Sequence, residues 1–145
     1  MILHTVGFTQ KPLRGFIGLL REAGVDAVVD VRLRNNGQLA GWSKRDDLAF
    51  ILETFGIAYH HRPELAPSPE ILDRYRADHD WPRYEVEFSP LIESRAVLPN
   101  TLIFLDQFQR PCLLCSEPAP DRCHRRLLAE GLAARRPGLE IVHLI

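Results

Sequence analysis

Ile2-Leu3-His4-Thr5-Val6-Gly7, then the series Leu13, Phe16, Ile17 and Leu20, then Val25-Asp26-Ala27-Val28-Val29-Asp30-Val31: this stretch decides the fold. The first run reads as a short strand from which the chain turns away at Gly7. The middle residues recur at helical spacing, with Pro12 suited to the first turn and Gly24 to the C-terminal cap. The third run is β-branched and apolar enough to be covered on both faces. A βαβ unit of about thirty residues follows, with parallel strands joined by a right-handed crossover.

The same punctuation continues outward. A Gly- and Asn-containing loop from Arg32 to Ser43 leads to a helix carrying Leu48, Phe50, Ile51, Leu52 and Phe55, closed by Gly56. Ile57 to His61 reads as a third strand. Ser68-Pro69-Glu70 announces a helix by its N-cap and its Pro, with Ile71, Leu72 and Tyr75 on one side. Trp81 to Ile92 continues as an aromatic helical region that Pro90 is expected to kink or split. Leu98, Leu102, Leu105 and Phe108 form another helical stripe, although Thr101-Leu102-Ile103-Phe104 also fits a strand. Pro111 to Cys115 is a buried strand by composition, Leu127, Leu128 and Leu132 belong to a helix ending before Pro137-Gly138, and Ile141 to Ile145 is a final strand. The expected fold class is α/β, a single compact domain over residues 1–145 with a mainly parallel sheet flanked by helices.

Composition agrees with a globular chain: 145 residues suit one domain, and 46% hydrophobic with 26% charged residues excludes disordered and fibrous classes. Eighteen Lys+Arg against nineteen Asp+Glu leave a net charge of -1, so any attraction for anions has to be local. No apolar stretch approaches the roughly 20 residues that cross a bilayer, and the first residues lack a basic leader, which points to a cytoplasmic protein without a membrane partner. The three cysteines, Cys112, Cys115 and Cys123, are odd in number and crowded into twelve positions, unlike a secreted disulfide framework.

In open α/β sheets the ligand crevice lies beyond the carboxyl ends of the strands. Those ends here supply Gly7 and Thr9; Asp30, Arg32 and Arg34; His60, His61, Arg62 and Glu64; and Cys115, Ser116, Glu117, Cys123 and His124. Asp30 and Arg32 serve either as an ion pair tying down the loop or as ligand-binding groups. His60 and His61 point to opposite faces of a strand, so at most one faces the crevice. Trp81, Tyr84 and Phe88 with Arg74, Arg76 and Arg83 fit either core packing or the stacking and cationic contacts of a nucleic-acid module.

Cys112 and Cys115 have C-x-x-C spacing, but residues three apart in a strand project to opposite faces. Cys115 and Cys123 are the better neighbours, across the Pro118-Ala119-Pro120 turn. A helix N-terminus and the nearby Arg122, Arg125 and Arg126 favour a thiolate at Cys123, whereas Cys115 borders Glu117 and an apolar strand. The C-x5-R spacing of a cysteine phosphatase is absent. Cys123 and His124 each lie four residues before a leucine, which also suits a buried structural thiol and imidazole. Cys115, Cys123 and His124 could bind zinc or iron, but adjacent Cys-His is not a standard chelating pair. Arginines in a first helical turn oppose the helix dipole, so Glu117 and Glu64, or an anionic ligand from outside, are expected to offset them.

Leu113-Leu114-Cys115-Ser116-Glu117 followed by Cys123-His124-Arg125-Arg126-Leu127-Leu128-Ala129-Glu130 resembles the signature of the DUF488 family, domain of unknown function 488. Val6-Gly7-Phe8, Asp30-Val31-Arg32, Gln38-Leu39-Ala40-Gly41-Trp42, Arg45-Asp46-Asp47-Leu48 and Pro63-Glu64-Leu65-Ala66-Pro67 resemble one branch of it, so the likeness covers nearly the whole chain. Another branch has Gly-Gly where this chain has Ala66-Pro67. The resemblance implies a compact α/β architecture and supplies no activity.

The leading expectation is an enzyme or binding domain for a small anionic, nucleotide-like ligand. Cys115, Cys123, Glu117, Asp30 and Glu64 are the candidate catalytic residues, and Arg32, Arg34, His124, Arg125 and Arg126 the candidate ligand-binding residues; no metal and no cofactor is assigned. The alternatives are a nucleic-acid module using residues 74–95 and a non-catalytic domain with a structural Cys/His metal site. Two geometric expectations accompany them: Asp30, Arg32 and Glu64 share one polar cluster, and Cys115 meets Cys123 at the start of the last helix with Cys123 the more acidic thiol.

Overall fold

The buried, β-branched runs become strands and the helical stripes between them become helices. In the computed structural model, which describes residues 1–95 and 97–145 and, of 38–40, the backbone alone, the order is β1 (Ile2–Gly7), α1 (Leu13–Glu22), β2 (Ala27–Asp30), α2 (Arg45–Thr54), β3 (Ala58–His61), α3 (Pro69–Asp78), α4 (Trp81–Ser94), α5 (Val97–Leu105), β4 (Pro111–Cys115), α6 (His124–Arg135) and β5 (Glu140–Leu144). Three-residue-per-turn helices at Gln38–Ser43 and Pro63–Leu65 were not anticipated. The side chains of Gln38, Leu39 and Ala40 in the quoted motif lie outside the described residues. Among those described, no helix is long and apolar enough to cross a membrane.

Local chemistry places the boundaries. Pro12 caps α1, and Gly24 beyond it takes φ +70°, a left-handed value that glycine adopts without Cβ strain. Ser68 accepts a hydrogen bond from the Ile71 amide with Pro69 in the first turn of α3. Residues 101–104 are helical, and α4 runs unbroken through Pro90.

The sheet is parallel throughout, in the order β3-β2-β4-β1-β5. The opening βαβ unit therefore skips a position, and β4 fills the gap between β1 and β2 with Cys112 to Cys115 opposite His4 to Gly7. Along β4 the side chains alternate strictly. Cys112 and Leu114 join Val6, Phe16, Leu20, Val28, Leu48 and Leu52 under α1 and α2, whereas Leu113 and Cys115 join Leu3, Val29, Phe88, Leu128 and Cys123 under α3 to α6. The adjacent strands β2 and β4 thus send their following helices to opposite faces. This is the switch point at which a crevice opens beyond the carboxyl ends.

Candidate functional site at the ends of β2 and β4

A cavity of about 390 Å³ occupies that switch point. Arg32, Leu33 and Arg34 line it from the end of β2, Cys115, Ser116 and Glu117 from the end of β4, Arg122, Cys123 and His124 from the start of α6, and Tyr75, Arg76, His79, Trp81 and Tyr84 from α3, α4 and their junction. The volume lies in the range of small-molecule pockets, about 300–1,000 Å³.

The β2 side is a closed ion pair. Asp30 Oδ1 accepts from the Arg32 amide at 3.1 Å and Nε at 2.9 Å; Oδ2 accepts from the second Arg32 guanidinium nitrogen at 2.8 Å, from Tyr59 Oη at 2.6 Å and from Asn35 Nδ2 at 3.3 Å. Arg32 also donates to the Ser43 carbonyl at 2.8 Å and lies over the Phe8 ring at 5.0 Å. Burial raises the Asp30 carboxyl, but the hydrogen bonds and charge of Arg32 outweigh it, and the group sits below the ordinary carboxylate range. Tyr59 is pushed up by burial and by its bond to Asp30. Asp30 itself projects to the α1–α2 face and does not line the cavity.

The β4 side is a cluster of chemically soft groups. Cys115 ends the strand, Cys123 is the extended N-cap residue of α6 (φ −142°, ψ 136°), and His124 is its first helical residue. The donor atoms of these three buried side chains all lie within 4.8 Å of one another. Cys115 Sγ is 3.6 Å from His124 Nδ1, and His124 Nε2 lies 2.7 Å from the Val31 carbonyl. A carbonyl only accepts, so Nε2 carries the proton and Nδ1 turns toward the sulfurs. Burial opposes charge on Cys123, but its contacts with Cys115 and His124 and the charge of Arg125 bring its thiol well below the ordinary value. Cys115 is raised by its bond to Cys123 and by burial. The ranking of the two thiols agrees with the expectation from sequence. Glu117, exposed at the cavity rim, is pushed up by partial desolvation and by the Cys123 charge.

Arg125 explains how the two loops stay in register. It is fully buried, its Nε donates to Thr5 Oγ1 at 3.2 Å and one terminal nitrogen donates to the Glu117 carbonyl at 2.6 Å. Its other terminal nitrogen has no hydrogen-bond partner, and among the described residues no carboxylate pairs with it. The Glu117 carbonyl rests against Gly7, where an added Cβ would come within 1.6 Å of it, so the end of β1 requires glycine.

Six of the ten candidate residues line the cavity: Cys115, Cys123, Glu117, Arg32, Arg34 and His124. Asp30 and Arg125 sit behind its wall. Arg126 is outside, held by Glu130 and the Asp121 carbonyl. Glu64 corrects the expected cluster with Asp30 and Arg32: the helical turn Pro63–Leu65 begins directly after the edge strand β3 and carries it to a separate hollow, where it faces Arg62 at 3.6 Å. Nor do Glu117 and Glu64 offset the helix-start arginines, because Arg125 bonds the Glu117 backbone and Arg126 bonds Glu130. His60 and His61 do point to opposite faces, the first against Phe104 and Phe108 and the second onto the Arg32 carbonyl.

Sequence reasoning left out Tyr59 and Asn35, which complete the Asp30 shell, and considered Trp81 and Tyr84 only as core or as stacking groups of a nucleic-acid module, not as part of the strand-end crevice. Trp81 and Tyr84 stack at 4.9 Å, and Tyr75 meets both edge-on. The helical spacing that makes them core residues also brings one edge of the stack to the cavity. Arg76 and Arg122 complete the lining, and among the described residues neither has an ion-pair partner.

A family model described as "Domain of unknown function DUF488" matches residues 12–132. No curated protein and no solved structure matches the chain.

Proposed function

The chain belongs to the DUF488 family, and from that premise we propose that its crevice binds, and with Cys123 and Glu117 in the wall chemically transforms, a small anionic, nucleotide-like compound. The observation that carries this reading is the convergence in one cavity of Arg76 and Arg122, which have no ion-pair partner among the described residues, with the Tyr75–Trp81–Tyr84 stack over the start of α6, beside Arg32 and Arg34, which are paired with Asp30 and Asp73. A helix start with no acidic residue in its first turn and no side-chain cap leaves its amides for an anion. The aromatic edge offers a planar group a stacking surface, and the Arg125 charge, unmatched by a carboxylate among the described residues, adds to the attraction.

A nucleic-acid module has less support. Arg74 pairs with Glu87, Arg83 with Asp78, and Arg95 bonds the carbonyls of Glu64 and Ala66, so three of the four arginines of residues 74–95 are spent within the fold and the fourth, Arg76, lines the crevice. The crevice is the better anion site.

The test is a thermal-shift titration of the full chain with nucleoside mono- and diphosphates, inorganic phosphate and a short single-stranded oligonucleotide. A nucleotide at about 100 times its dissociation constant is expected to add about 2.7 kcal/mol of stability. Arg122→Ala and Trp81→Ala are each expected to remove most of that shift. No shift with any mononucleotide or phosphate, or a shift unchanged in both variants, overturns the reading; a shift with the oligonucleotide alone replaces it by the nucleic-acid one.

A further inference from the structure

We propose that Cys115, Cys123 and His124 form a divalent-metal site of the zinc class, with a fourth coordination position open to the crevice. The inference stands on these donors alone and needs no particular organic ligand. Two sulfurs and one imidazole nitrogen are the donor set that zinc favours over magnesium or calcium. Tetrahedral bonds of about 2.3 Å to sulfur and about 2.05 Å to nitrogen put those two donors about 3.6 Å apart. Cys115 Sγ and His124 Nδ1 stand at 3.6 Å, and all three donor atoms lie within 4.8 Å of one another.

The surroundings supply what such a site needs. A ligating histidine as a rule donates its other ring N–H to a carbonyl or carboxylate, which fixes tautomer and orientation; His124 Nε2 does so to Val31 at 2.7 Å. Adjacent Cys-His is a poor chelating pair inside a regular helix. Here Cys123 has extended backbone and His124 is helical, and this junction lets consecutive side chains turn to one point. Cys115 reaches the same point from the end of β4, anchored on the sheet rather than on a loop. On binding, the metal takes one electron pair from each of Sγ, Sγ and Nδ1, and the thiol protons leave to solvent. Two thiolates and a dication leave the site without net charge, and all three donors line the crevice, so the fourth position faces water or a bound anion.

The full chain, purified without a histidine tag, is assayed for zinc, then stripped and titrated with cobalt(II), whose thiolate-to-metal charge-transfer absorption reports sulfur ligation, and back-titrated with zinc. One equivalent, a charge-transfer band and its displacement by zinc are expected. Cys123→Ser keeps an N-capping side chain while removing the soft donor, and it and Cys115→Ser are each expected to weaken zinc binding by about 100-fold or more. Cys112→Ser, on the opposite face of the sheet, is the control and should bind as the parent does. A folded parent that binds zinc no more tightly than a folded Cys123→Ser, a cobalt spectrum without the thiolate band, or equal loss in Cys112→Ser overturns the proposal. The nucleotide titration repeated on stripped protein separates this result from the ligand reading.

Discussion

The ends of β2 and β4 lie side by side and have been built in opposite ways. Beyond β2, Asp30 has both oxygens occupied by Arg32, Tyr59 and Asn35, and Arg32 spends a further bond on Ser43. Beyond β4, two thiols and an imidazole share contacts near the upper limit for sulfur hydrogen bonds, and the guanidinium behind them has no carboxylate partner among the described residues. A buried polar group with every partner in place holds geometry, because any change of partner leaves a charge exposed to low dielectric. Loosely partnered groups can exchange protons or ligands at less cost. The difference assigns positioning to the first strand end and chemistry to the second.

The largest effect should come from breaking the closed side. Arg32→Ala leaves the Asp30 charge buried without its counterion and is expected to cost about 3–5 kcal/mol in urea denaturation. Cys123→Ser, at the open side, should cost about 1 kcal/mol or less, since serine is a good N-cap. Equal losses for the two variants would erase the distinction drawn between the strand ends.

The loops that carry the two sides meet at Gly7. Gly7→Ala would drive a Cβ into the Glu117 carbonyl, a backbone atom that cannot swing aside. A loss of at least about 1–3 kcal/mol is expected from overpacking. The displacement of residues 115–117 should also diminish the nucleotide shift. Retained stability together with a retained shift would mean that the β4 loop is free to move without affecting the crevice.

Acid sharpens the comparison. The Asp30 carboxyl is held below its ordinary value of 3.8 in the folded protein, so its contribution is fully present above the unfolded pKa and disappears as pH falls through the folded one. Stability should therefore fall with pH below about 4, and Asp30→Asn, already less stable at neutral pH, should fall less steeply over that interval. Chemical denaturation at a series of acidic pH values measures both slopes. Parallel curves would show that Asp30 is not the group being protonated.

Much of the scaffold was legible because each buried strand is a short β-branched or apolar run bounded by Pro or Gly. The order β3-β2-β4-β1-β5 was not, because β4 enters between β1 and β2 through pairings about a hundred residues apart in sequence. The meeting of Cys115 and Cys123 was readable from a strand end, a Pro-rich turn and a helix start. The Asp30 shell was not: Tyr59 comes within reach only because it stands opposite Val28 in the ladder, and that register is not local information. The aromatic residues had two valid readings, and the fold uses both: Phe88 is wholly buried, whereas Trp81 and Tyr84 reach the crevice.

The smallest effect is the one that tests whether location rather than residue type decides the outcome. Glu64 and Glu117 are both glutamates beyond strand ends, and sequence alone gave them the same standing. Glu64 has an exposed partner in Arg62 and borders a separate hollow of about 190 Å³. Exposed pairs of this kind contribute little, because water screens them and two long side chains must be ordered, so Glu64→Gln should change stability by about 0.5 kcal/mol or less. The nucleotide shift and zinc affinity should not change. Glu117→Gln should also leave stability close to that of the parent, since the Arg125 bond goes to the Glu117 carbonyl and survives. It should nevertheless change nucleotide binding, because it replaces a carboxylate facing the arginines and Cys123 within the cavity. Thermal-shift titration of the two variants in parallel measures this contrast. If both glutamines leave nucleotide binding unchanged, the carboxylate of Glu117 has no part in the crevice chemistry; if Glu64→Gln changes it as much, the boundary drawn between the two hollows is wrong.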